Sequence, residues 1–363
     1  MEIAKNNKRI IGIDLARALA VFGMIIVNFK VVLGGEGSSL LKTFVIILEG
    51  KAAATFVVLA GVGIALSTKK SIEFNNLEKL TSIKKRILKR AILLFVLGMS
   101  YITIWPADIL HFYAVYMLIT LLLLRSNNQT ILLTGTALIL VYPLLMIIWD
   151  FETGWDFQTL TYQALWSFKG FIRNLFYNGF HPVIPWSAFM VFGYWLGKQD
   201  LQNPNYVKKL LAYAVLAFVL IQLISFFLVN QLSDGSQQMT KGLTEVLGTS
   251  PIPPLPIYML SGIAIAFTTI SACILVGTKY EKNKIIDALY KTGQLALTFY
   301  VAHVVIGMGV IDAINPDKFG QYSVEFSVGV AIVFSLLCIL FAKIWLKYKK
   351  VGPLEFAFRK LTT

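Results

Sequence analysis

The run IIGIDLARALAVFGMIIVNF, Ile10 to Phe29, holds twenty residues of which only Asp14 and Arg17 are charged. A helix needs roughly 20 apolar residues to cross the hydrocarbon of a bilayer, so this stretch is long enough to span. Ala18-Leu19-Ala20 resembles a leader-cleavage site, but Asp14 and Arg17 precede it and the apolar run continues to Val27. The segment is therefore expected to be a retained transmembrane helix.

The rest of the chain repeats the pattern. Of 363 residues, 57% are hydrophobic and 14% charged, and the mean hydropathy is +0.70, outside the range of a soluble domain. Apolar runs between charged or Gly/Pro punctuation predict ten helices. They cover Ile10 to Phe29, Ala52 to Thr68, Ala91 to Trp105, Ile109 to Leu124, Ile131 to Trp149, Val183 to Gly197, Leu210 to Val229, Ile257 to Gly277, Gln294 to Ile314 and Val324 to Leu346. Leu40 to Leu48 is too short to span and is expected to lie on the surface or re-enter. The expected fold is an all-α polytopic bundle forming one transmembrane domain over residues 1–363. It carries a long outer loop at 150–180 and a basic cytoplasmic loop at 69–90. No internal repeat is evident.

Ten crossings place both termini on one side, and basic residues identify that side as the cytoplasm. Of the 33 Lys and Arg, 25 fall on the proposed inner face, 7 on the outer face, and Arg17 lies within the first helix. The formal net charge of +14 thus sits beside apolar runs, as positive-inside loops do against an anionic bilayer surface, and no basic, aromatic-interleaved groove for nucleic acid appears. Cys273 and Cys338 lie in apolar runs without a CxxC or Cys/His neighbour, so they read as small core residues, and no metal is predicted. The outer connections, Asp150 to Phe180 and Gln231 to Pro256, either line an entrance or are tolerated insertions.

An ionisable side chain in a spanning helix costs roughly 2.5 to 3.5 kcal/mol at the centre of the bilayer, so each needs a partner or a purpose. Asp14 and Arg17, at i and i+3, share a helix face; either they form an ion pair that fixes the helix, or Arg17 receives an anionic cofactor group. Asn28, near the outer end of the same helix, offers an amide to a substrate or to a neighbouring helix. Lys51 flanks Gly50 at the outer entrance of the second helix, as a substrate contact or a snorkelling end charge.

Three histidines supply the side chain best suited to proton transfer near neutral pH. His111 follows Asp108 by three residues, so the carboxylate can orient the ring. His181 precedes the Pro185-Trp186 entry of the sixth helix. His303 sits near mid-membrane, one turn after Tyr300. Each is either a packed residue or a catalyst. If they converge on one cavity, one acts as base, another steadies an oxyanion, and Asn28 with Trp186 and Tyr300 positions the acceptor.

The stretches Gly12 to Asn28, Lys51 to Gly63, Asp108 to Tyr113, His181 to Trp186, Gly293 to Tyr300 and Gly352 to Arg359, in that order along nearly the whole chain, resemble the bacterial YeiB-type membrane proteins. That group looks related to heparan-alpha-glucosaminide N-acetyltransferase within a wider transmembrane acyltransferase superfamily. The resemblance implies about ten or eleven helices, with acyl-CoA, acetyl-CoA in the first instance, entering from the cytoplasm and an amine or hydroxyl acceptor, such as an envelope glycan, waiting on the other side. It also implies an Asn at the end of the first helix, matched by Asn28, and a His in the following loop, which Phe29 to Gly50 lacks.

On this reading the base is recruited from His111, His181 or His303. Arg17 and Asp14, together with Lys84 and Arg86 of the basic rim, are the candidates for holding the phosphates of the donor, unless the rim is ordinary positive-inside topology. The competing functions are a small-solute transporter or channel using the same polar groups, and a noncatalytic membrane partner.

Overall fold

The computed structural model describes residues 9–156 and 161–362. Lys5 and Lys8 of the inner-face tally and residues 157–160 of the long outer loop lie outside them. The described chain is nearly all helix: α1 (Ile11–Leu33), α2 (Ser39–Leu48), α3 (Lys51–Glu73), α4 (Leu77–Tyr101), α5 (Leu110–Leu122), α6 (Asn128–Ile148), α7 (Phe168–Arg173), α8 (Val183–Lys198), α9 (Pro204–Ser233), α10 (Gln237–Leu247), α11 (Pro256–Lys279), α12 (Lys284–Gly293), α13 (Ala296–Ala302), α14 (Gly309–Ile314), α15 (Val324–Tyr348) and α16 (Pro353–Thr362). One two-stranded ribbon pairs β1 (Trp155–Asp156) with β2 (Thr161–Tyr162).

Among the described residues seven helical stretches are long and apolar enough to cross a bilayer: α1, α2 joined to α3, α6, α9, α11, Ala296–Ile314 and α15. The protein is a multi-pass membrane bundle in contact with lipid. Three of the ten expected spans fall short of the full length for a physical reason. α5 has 13 residues and α8 has 16, while α4 spends its first turns on charged residues before its apolar half begins at Ala91. The stretch 69–90, expected to be a loop, is therefore mostly helical, with its turn at Phe74 to Asn76. Asn76 sets the new start, its side chain accepting from the Lys79 amide at 2.9 Å as an N-cap. The short run expected near Leu40 to Leu48 is a helix of its own, separated from α3 by the Glu49-Gly50 turn.

Contacts divide the chain into two compact units. One comprises residues 9–42, 200–213 and 267–355; α1 packs there against α12, α13 and α15. The other comprises residues 43–199, 214–266 and 356–362, built on α3 against α8, α6 against α8, and α4 against α5. The crossing of α3 and α8 depends on small residues. A Cβ on Gly61 would lie 2.0 Å from the Met190 carbonyl, and one on Gly193 would lie 2.1 Å from that of Val58, so the backbones touch as they do where small residues line a membrane helix interface. α9 is the opposite case, with only 11% of its most apolar window buried, leaving a face of Leu216, Leu220, Leu223 and Phe227 to lipid.

Candidate functional site

In the second unit the site is organised by Asp108, which is fully buried. Oδ1 accepts from the Tyr101 hydroxyl at 2.6 Å. Oδ2 accepts from the Leu110 amide at 2.8 Å and the His111 amide at 3.3 Å, and stands 3.0 Å from His111 Nδ1. The carboxylate thus caps the first turn of α5 and holds the imidazole at once. A ring whose Nδ1–H is fixed by a carboxylate presents Nε2 as the basic atom, the arrangement that general bases use. Tyr101 closes α4, and that helix comes near enough only because Gly98 has no side chain: a Cβ there would meet Asp108 Oδ2 at 2.4 Å and the His111 amide nitrogen at 2.6 Å.

The His111 ring lies 3.9 Å from Phe112, Phe112 6.2 Å from His181, and His181 4.5 Å edge-on to Trp186. Trp186 in turn contacts Tyr258 at 5.9 Å. His181 follows a π-helical turn at Asn174–Asn178, a geometry that recurs at functional sites, and its backbone carbonyl accepts from the Tyr116 hydroxyl. Burial pushes the His181 proton affinity down to about 3, partly offset by the nearby Asp108 charge, so the ring is neutral at physiological pH. His181 Nδ1, Trp186 Nε1 and the Tyr258 hydroxyl are all enclosed and none has a hydrogen-bond partner among the described residues. Lys51 is buried and donates to the Thr249 carbonyl at 3.2 Å.

His303 belongs to the first unit. It opens a π-helical turn, His303–Met308, between α13 and α14, and its Nε2 lies 2.9 Å from Asn28 Nδ2 on α1. Tyr300 contacts the ring at 5.3 Å and Phe29 at 6.3 Å. Asn28 therefore has a histidine partner, supplied from 275 residues away and not from the loop that follows it.

At the N-terminal end of α1, Asp14 receives two cations: Arg17 Nη1 at 2.6 Å and Arg9 Nε at 2.7 Å. Asp14 is 2% exposed in its side chain and Arg17 29%, so Arg17 is paired while keeping an accessible edge. On α4, Lys85, Arg86 and Lys89 line a groove of about 570 Å³ with Leu77, Glu78, Thr81, Ser82 and Thr362. Lys84 does not line it, because it sits one position round the helix.

Sequence reasoning named Asp108, His111, His181 and Trp186, which the structure brings together, and Asn28, Tyr300 and His303, which it brings together separately. It missed Tyr101, Tyr258 and Arg9. Only Arg9, five residues before Asp14, carries a local signal; the two tyrosines carry none.

Residues 9–232 match the family described as heparan-alpha-glucosaminide N-acetyltransferase, catalytic, well over half of the chain. The chain belongs to this family. The acetyltransferase-family match contains Asn28, Lys51, Asp108, His111, His181 and Trp186, but not Tyr258, Tyr300 or His303. Those three fall in residues 191–363, which match a family described as a protein of unknown function, DUF418. A similar curated protein is the uncharacterized protein YxaH of Bacillus subtilis (strain 168), 22% identical over 98% of this chain and 94% of its own length. No solved structure matches. The Asn28–His303 contact thus joins a residue of one matched region to a residue of the other.

Proposed function

We propose that the protein is an inner-membrane acyltransferase with ten crossings and cytoplasmic termini. It passes an acyl group, acetyl in the first instance, from cytoplasmic acyl-CoA to an extracytoplasmic acceptor such as an envelope glycan. The observation that carries the reading is the buried Asp108–His111 pair, a base held by a carboxylate inside a membrane bundle. A thioester is already activated, so catalysis needs a base to take the acceptor's proton and donors to steady the tetrahedral oxyanion. His111 Nε2 takes that proton and returns it to the departing thiolate. The Lys85/Arg86/Lys89 groove of the second unit supplies cations of the kind anionic donor phosphates require, and Arg17 of the first unit, steadied by Asp14, is a separate candidate for the same role.

The Asn28–His303 contact supports a second assignment of the base within the same function. Reconstitution in proteoliposomes with labelled acetyl-CoA separates the two. Replacing His111 with Gln is expected to lower label transfer about 10²- to 10⁴-fold at unchanged abundance, with His303→Gln retaining more activity. Full transfer by His111→Gln with loss in His303→Gln moves the base to His303. Full transfer in both variants overturns the reading.

A further inference from the structure

Leaving a buried donor or acceptor unsatisfied costs about 1–3 kcal/mol, so native proteins almost always fill such sites with protein, water or ligand. Three orphaned atoms, His181 Nδ1, Trp186 Nε1 and the Tyr258 hydroxyl, occur on three rings in successive contact. Trp186 is 1% and Tyr258 0% exposed. Such a cluster, next to an oriented base, has the form of a place kept for a small polar group.

The chemistry of the three atoms restricts that group. Indole N–H only donates, a phenol both donates and accepts, and a neutral imidazole nitrogen does one or the other. The occupant must therefore offer a lone pair to Trp186, with hydrogen and lone pair to spare for the others. An alcohol does this: one lone pair accepts from Trp186, Tyr258 or a His181 Nδ1–H, the O–H is left to donate to His111, and the second lone pair is free to attack. An ammonium has no lone pair, and a neutral amine has one, which attack consumes.

The charge nearby agrees. Asp108, the carboxylate of this cluster, is already engaged by Tyr101, His111 and two amides.

We infer that the acceptor group seated among His181, Trp186 and Tyr258 is a hydroxyl, so that the product is an O-acyl ester. The inference rests on the acyl-transfer reading above. In the balanced step the acceptor oxygen forms a bond to the thioester carbonyl carbon, His111 takes the hydroxyl proton, the C–S bond breaks, and the thiolate leaves as free CoA with that proton.

The test uses membranes containing the full-length protein and their native acceptors, labelled acetyl-CoA, and alkaline hydroxylamine, which cleaves oxygen esters and spares amides. Label that depends on the protein is expected to be released by hydroxylamine. Tyr258→Phe and Trp186→Phe are each expected to lower the released label about tenfold at equal abundance. Protein-dependent label that resists hydroxylamine overturns the hydroxyl assignment and leaves acyl transfer standing. So does unchanged release by both variants, because the three atoms then hold nothing that reacts. No protein-dependent label at all overturns the acyl-transfer reading, and this inference with it.

Discussion

His111 and His181 are neighbours with different environments. Asp108 holds the first through Nδ1 at 3.0 Å, whereas burial lowers the second to about 3 with the Asp108 charge only partly opposing it. A histidine with so low a proton affinity is a poor base but a dependable neutral hydrogen-bonding group. The sign of the shift fixes the pH behaviour. Between about pH 5 and 9 His181 stays unprotonated and contributes no ionisation to the rate, so it supplies none of the acid limb of the pH–rate profile. His181→Gln is expected to lower the height of that profile without moving its acid limb, as measured by initial rates of label transfer across pH. A limb that shifts with His181→Gln would make His181 the titrating base.

Among the elements, α4 and α5 meet where Gly98 faces Asp108. The separations of 2.4 Å to Oδ2 and 2.6 Å to the His111 nitrogen leave no room for a methyl group, and the obstacle includes backbone. Gly98→Ala is thus expected to destabilise the protein by about 1–3 kcal/mol and, by pushing α5 away, to reduce transfer more than it reduces abundance. Thermal unfolding in detergent beside an activity assay checks both; unchanged values would mean that the helices separate without cost. The helices themselves were largely legible because a spanning run of apolar residues is a local signal, and Asp108 with His111 was legible because a carboxylate just before a helix start reaches a side chain three residues on. Three features were not. The apolar half of α4 gave no warning that its helix starts at Leu77, because charge-rich turns outside the hydrocarbon lack the apolar signature. The π-turn at His303 leaves the composition of an ordinary helix. The partnership of Asn28 with His303, and that of Trp186 with Tyr258, join distant segments, which periodicity cannot read.

For the whole molecule, the strongest long-range constraint is charge. A Lys or Arg crossing the bilayer during insertion costs several times what an apolar residue gains, so 25 basic residues against 7 fix an orientation through many small contributions. The proposed orientation would put the basic face of α4 in the cytoplasm and α10 outside, which is what the proposed reaction requires of a soluble donor on one side and an acceptor on the other. Single cysteines test it cleanly because Cys273 and Cys338 are both buried. Ser82→Cys on α4 and Gln238→Cys on α10 occupy exposed positions of the same unit. In intact cells a membrane-impermeant maleimide is expected to label the Gln238 variant and to reach the Ser82 variant only after the membrane is opened. Labelling of Ser82→Cys from outside would invert the bundle and place the Lys85/Arg86/Lys89 groove on the face that acyl-CoA never visits, and the donor assignment would fall with the topology.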